Sequence, residues 1–83
     1  MNNIAILNKI KGLIELVDNN IDISLINENT NLILDLGFDS VRIIYFLLLI
    51  ENSFKVSVSK LTCNDIKTIK ELIEYIYNSR KIW

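Results

Sequence analysis

Ile4, Ile6, Leu7, Ile10, Leu13, Ile14 and Val17 recur at helical spacing along the first stretch of the chain. Asn8, Lys9, Lys11, Gly12, Glu15 and Asp18 fill most of the opposite side. This pattern predicts an amphipathic helix over residues 3–18, ended by Asp18-Asn19-Asn20. Residues 19–38 lose the period. They are rich in Asn and Asp, with Leu25, Ile26, Leu32, Ile33, Leu34 and Leu36 scattered among them, so a long loop is expected, held to the body by several of these side chains. A short strand over Leu32–Leu36 is the competing reading, although no pairing partner for it stands out.

Asp39 or Ser40 then offers an N-cap for a second helix reaching about Asn52. Val41, Ile43, Ile44, Tyr45, Phe46, Leu47, Leu48, Leu49 and Ile50 cover every direction around its axis. A helix apolar all round is normally buried all round, and a domain this small cannot do that, so part of this surface is expected to face solvent. Lys55-Val56-Ser57-Val58-Ser59 reads as an extended connector, and Leu61–Ile66 as a short helical turn. Thr68-Ile69-Lys70-Glu71 matches a capping box and opens a final helix through Leu72, Ile73, Ile76 and Tyr77.

Composition narrows the chemistry. The 83 residues suit one domain, residues 1–83, and an apolar share of 51% supports a small core. With no proline and two glycines, a helical class is favoured. Cys63 is the one cysteine, so neither a disulfide framework nor a cysteine zinc site can be built, and it reads as buried filler. The chain has no histidine, the commonest general base and metal ligand. Without a base, Ser40 beside Asp39 does not read as a catalytic nucleophile, and the second glycine of a nucleophile elbow is missing. No catalytic residue and no metal ligand is assigned, and no enzyme activity is expected. The opening MNNIAILNKIKGL lacks a secretory pattern, and the apolar run Ile43–Ile50 is too short to span a bilayer. A cytoplasmic location without membrane insertion is therefore expected.

The formal charge of −1 is unevenly spread: residues 20–54 carry −4 and residues 55–83 carry +3. The acidic middle points to a basic partner rather than to nucleic acid. Within that middle, Gly37 permits a tight or positive-φ backbone just before a helix, and Ser40 stands at the helix N-terminus, where free N–H groups and the dipole favour an attached phosphate. Taken alone, Gly-Phe-Asp-Ser reads more simply as a plain N-cap.

Leu36-Gly37-Phe38-Asp39-Ser40-Val41 resembles the hallmark Leu-Gly-x-Asp-Ser-Leu of the acyl carrier protein family, departing only at Val41. Helix order, the long loop, Glu51 and Phe54 near the end of the second helix, the connector and Thr68-Ile69 sit at the family's spacing over residues 3–77. The resemblance implies an all-α four-helix bundle of the acyl carrier type, with a long loop after helix one and a short third helix. It implies 4′-phosphopantetheine attached at Ser40, with Asp39 and Gly37 completing the motif. A phosphopantetheinyl transferase would supply the arm from coenzyme A with magnesium, and acyl- or aminoacyl-loading and downstream biosynthetic enzymes would use it. The expected role is a freestanding acyl or aminoacyl carrier, shuttling a thioester-linked cargo in a specialised pathway of fatty-acid, polyketide or nonribosomal-peptide type. A monomer is expected.

Helical geometry and the family alignment place Arg42, Ile44, Tyr45 and Leu48 on the partner face, with Phe46, Ile50 and Phe54 pointing to the core. Arg42 and Tyr45 depart from the acidic second helix of fatty-acid carriers, so docking is expected to lean on apolar contact. Packing of these residues against the long loop is the plainer alternative. An unmodified helical adaptor, or an unrelated partner-binding bundle, is the reading that needs no arm.

Overall fold

Ile6, Ile10, Leu13 and Ile14 repeat at the spacing that puts side chains on one stripe of a helix, and all four are buried in α1, Asn3–Val17. The fold is that of a computed structural model describing residues 3–58 and 66–80. Leu7 and Val17 pack partly against the same core. Ile4, expected on this face, is instead exposed, as is Leu16. At 100° per residue both lie well to the side of the Ile6–Ile14 stripe, so the seam is narrower than composition suggests.

The long segment after α1 is ordered by small local devices. The Asp22 carboxylate accepts the Ser24 hydroxyl at 2.6 Å and the Ser24 N–H at 3.0 Å, capping a single 3-10 turn over Ile23–Leu25. Ile26, Leu32 and Phe38 are buried and pin the loop, whereas Leu25, Ile33 and Leu34 face solvent. No strand forms over residues 32–36: the segment closes into turns, and the pairing is one isolated bridge, Asn31 to Thr68. Around it Leu32 N–H donates to Lys67 O at 2.9 Å, Ile69 N–H to Thr30 O at 3.1 Å and Lys70 N–H to Glu28 O at 2.8 Å. The loop thereby satisfies backbone N–H groups at the start of the last helix that the helix itself cannot.

The second helix, α2, runs Ser40–Phe54, two residues beyond the expected end at Asn52. Phe54 is fully buried, which holds the last turn. Lys55 then adopts the left-handed conformation (φ 57°) and its N–H donates to Glu51 O. Lys9 of α1 reinforces that end. Its Nζ donates to Ser53 O at 3.1 Å and lies 5.1 Å from the Phe54 ring centroid, a cation where the helix dipole favours one. Ile43, Phe46, Leu47, Ile50 and Phe54 are buried in α2 while Val41, Ile44, Tyr45 and Leu48 are not. Phe46, Ile50 and Phe54 therefore point to the core as expected, and the helix is exposed on one side despite its uniform apolarity.

Val56 and Val58 are buried in the connector after α2. Val58 N–H donates to Glu51 Oε1 at 3.3 Å, and the Tyr75 hydroxyl donates to Ser57 O. The short helix expected at Leu61–Ile66 falls on residues 59–65, outside the described residues, as does Cys63; Ile66 itself is buried. The last helix, α3, spans Ile69–Arg80. Its capping box forms as expected: Thr68 N–H donates to Glu71 Oε1 at 3.1 Å, and Glu71 N–H to Thr68 Oγ1 at 3.4 Å. Ile69, Leu72, Ile73 and Ile76 complete the core, and Tyr77, read as part of that face, is half exposed. Among the described residues the architecture is all-helical: α1, α2 and α3 around one apolar core, with the long loop folded over one end.

Gly12 sits on the exposed side of α1, and a methyl group added to its Cα would meet nothing within 4 Å. Gly12→Ala should therefore raise the unfolding free energy by about 0.5–1 kcal/mol in urea titration. The Asp22 carboxyl is held below its ordinary value of 3.8, first by the Ser24 hydroxyl and then by the Ser24 N–H. Its carboxylate thus contributes stability above the ordinary value, lost as pH falls through the lowered one. NMR titration of Ser24→Ala should find the Asp22 pKa moved upward.

Candidate functional site

The turn that enters α2 is built from the residues of the Leu-Gly-Phe-Asp-Ser motif. Asn31 organises its first half: its Oδ1 accepts the N–H groups of Ile33 at 2.9 Å and Leu34 at 2.8 Å, and its own N–H donates to Asp35 Oδ2 at 2.7 Å. Gly37 N–H then donates to Ile33 O and Phe38 N–H to Leu32 O, both at 3.0 Å. Gly37 takes φ +71°, a conformation L side chains rarely adopt, although the space around its Cα is open. Glycine is needed there for the backbone angle, not for room. Phe38 turns inward and is buried, with its ring edge-on to Phe46 at 6.0 Å between centroids.

Asp39 is the N-cap, which settles the choice between it and Ser40. Its backbone is extended (φ −90°, ψ −179°), its Oδ1 accepts Arg42 N–H at 2.9 Å, and its carbonyl accepts Ile43 N–H at 3.0 Å. Ser40 is thus the first helical residue, and it is exposed. Ser40 and Val41 are among the first positions of the helix, whose N–H groups have no carbonyl within it to bond; that of Arg42 is already taken by the Asp39 cap. A phosphodiester on the Ser40 hydroxyl would meet those donors and the positive end of the helix dipole, so the residues present fit a covalent phosphate. The chain has no histidine, and no cluster of three or more side chains that could hold a metal ion occurs among the described residues.

The residues expected on the partner face are also located. Ile44, Tyr45 and Leu48 are 58%, 49% and 52% exposed on α2. Arg42 is exposed too, its guanidinium 3.9 Å from the Asp18 carboxylate at the end of α1. Val41 and Leu34, at 74% and 83% exposed, lie near Ser40 in the chain but outside the expected face, as does Ile33 at 43%. The period of α2 already sets Val41 apart from Ile43 and Phe46, whereas Leu34 lies in a turn where no period operates.

Comparison with known proteins agrees with this geometry. The family model described as the phosphopantetheine attachment site matches residues 6–76. The acyl carrier protein of Lactobacillus acidophilus is 39% identical over 72 residues, 86% of this chain and 88% of that protein. That of Buchnera aphidicola subsp. Schizaphis graminum is 32% identical over 81 residues, 98% of this chain and 99% of its own. In fold, the chain resembles the solution structure of the apo doublet acyl carrier protein from prodigiosin biosynthesis, with a TM-score of 0.74 at 20% identity. That likeness covers 94% of this chain, which spans 38% of the doublet's length.

Fold and matched residues together define a carrier that bears covalently attached 4′-phosphopantetheine. The chain belongs to the acyl carrier protein family, a family of carriers and not of catalysts. No helix among the described residues is long and apolar enough to cross a membrane.

The cap gives a direct test. Asp39→Ala should lower the unfolding free energy by about 1 kcal/mol through loss of the bond to Arg42 N–H, while Asp39→Asn, which caps as well, should retain most of it. Urea titration of the two variants beside the wild type reads the difference.

Proposed function

We infer that Ser40 is the residue that carries the phosphopantetheine arm, with Gly37 shaping the turn and Asp39 capping the helix beneath it. The exposed Ser40 hydroxyl at the first position of α2 is the observation that carries this reading. In the transfer, Ser40 Oγ becomes the phosphoester oxygen and gives up its proton, while the pyrophosphate linkage of coenzyme A breaks and its nucleotide portion leaves. The base for that proton belongs to a phosphopantetheinyl transferase. When bound, the arm supplies the terminal thiol on which cargo rides as a thioester.

The chain's own contribution is presentation. The helix N-terminus steadies the phosphodiester charge, and Phe38 fixes the turn from below. The missing histidine removes the commonest base that would promote hydrolysis of the cargo. Residues 1–83 act in this reading as one freestanding carrier unit in a biosynthetic pathway, cytoplasmic and monomeric. Its partners are the transferase and the acyl- or aminoacyl-loading and downstream enzymes. Arg42, Ile44, Tyr45 and Leu48 form the face they meet.

Intact mass spectrometry tests the attachment site. After incubation with coenzyme A, magnesium and a broad-specificity transferase, the wild type should gain one phosphopantetheinyl group and Ser40→Ala none. A wild type that stays unmodified while a control carrier is loaded would leave the chain an unmodified adaptor; a gain on Ser40→Ala would move the site elsewhere.

A further inference from the structure

Phe38 puts a full aromatic ring into the interior just ahead of Ser40 in the chain. Its ring lies 6.0 Å from that of Phe46, itself fully buried on the core side of α2. Phe46 stands about 9 Å along the helix from Ser40, so the ring pair occupies the space beneath the first turns of α2. Leu32 and Ile43, also buried, belong to the same core cluster.

The backbone on either side of the Phe38 ring is committed. Phe38 N–H donates to Leu32 O and Gly37 N–H to Ile33 O, both at 3.0 Å, and Gly37 holds φ +71°. After the ring, the Asp39 carbonyl accepts Ile43 N–H at 3.0 Å, and Asp39 Oδ1 accepts Arg42 N–H at 2.9 Å. Swinging the ring outward would undo this turn and, with it, the placement of Ser40.

Resting on the assignment of the arm to Ser40, we propose that Phe38 sets the class of cargo by filling the interior beneath the attachment point. Reach is not what limits the cargo. The arm is about as long as five extended residues, roughly 17 Å, enough to bring its end as deep as Phe46. Room decides instead. Pushing methylenes into space already held by two rings forces side chains off their rotamers, and longer chains need more of that space. A short or polar group has little apolar surface to bury and stays in water at small cost, whereas a long alkyl chain leaves its whole length exposed. The cargo that suits this chain is therefore a short or polar acyl or aminoacyl group, carried outside the bundle.

The test loads the wild type, Phe38→Ala and Phe38→Leu from acetyl- and octanoyl-coenzyme A, using a broad-specificity transferase with magnesium. Intact mass confirms loading; melting temperature and thioester cleavage by hydroxylamine are then read on each form. In the wild type the two cargoes should give melting temperatures within about 1 °C and cleavage rates within about twofold of each other, because the fold binds neither. Truncating the ring leaves an apolar cavity below Ser40. The octanoyl form of Phe38→Ala should then melt at least about 4 °C above its acetyl form and be cleaved about fivefold more slowly. Phe38→Leu should shift in the same direction by less, and it is the variant read if Phe38→Ala does not fold.

A wild type in which octanoyl raises the melting temperature and slows cleavage overturns the exclusion, since the chain would then have found room beside the ring. Folded variants that treat the two cargoes alike, as the wild type does, overturn Phe38 as the residue that decides. A wild type that gains no group while a control carrier is loaded overturns the Ser40 assignment and this inference with it.

Discussion

Phe38, buried with its edge against Phe46, is the contact on which the presentation of Ser40 depends. Its two neighbours in the chain do opposite things. Gly37 supplies a left-handed backbone that brings Phe38 inward, and Asp39 supplies an extended one that starts α2. Driving an aromatic ring into the core gives the turn a large apolar stake, while the two polar residues after it stay in water. Were Phe38 free, the cap at Asp39 would still favour a helix start, but nothing would fix where that start sits relative to α1 and α3.

The second helix shows how an almost uniformly apolar element acquires two sides. Ile43, Phe46, Leu47, Ile50 and Phe54 join the common core; Ile44, Tyr45 and Leu48 meet solvent. What separates them is the angular period, not hydrophobicity, because the core of so small a body can enclose only one side of a helix. An exposed apolar side is tolerable in a monomer when a partner covers it in use. The solvent-facing side begins in the same turn as Ser40.

Much of this was legible in residue order. The capping box at Thr68 and Glu71 forms with the bonds its spacing implies, and the seam of α1 follows its period except at Ile4, whose spacing reads as part of one broad face and which is exposed. The motif from Leu36 to Val41 pointed to the right turn, but two caps were equally consistent with it; only the extended backbone at Asp39 separates them. The loop was the opaque part. Its order comes from Asn and Asp side chains that accept backbone N–H groups two to four residues away, a chemistry that leaves no period to read. Its pairing with Lys67 and Ile69 is non-local, so no window of sequence contains both sides.

That pairing has a bearing on when the carrier becomes usable. Glu28, Thr30 and Leu32 complete their backbone bonds with residues 67–70, and the same loop leads through Asn31 and Gly37 to Ser40. During synthesis, Ser40 emerges before residues 67–70, with which its loop pairs. A nascent chain lacking the start of α3 has Ser40 but not the framework that holds its turn. The backbone pairing that orders the loop is thus complete only once residues 67–70 have followed.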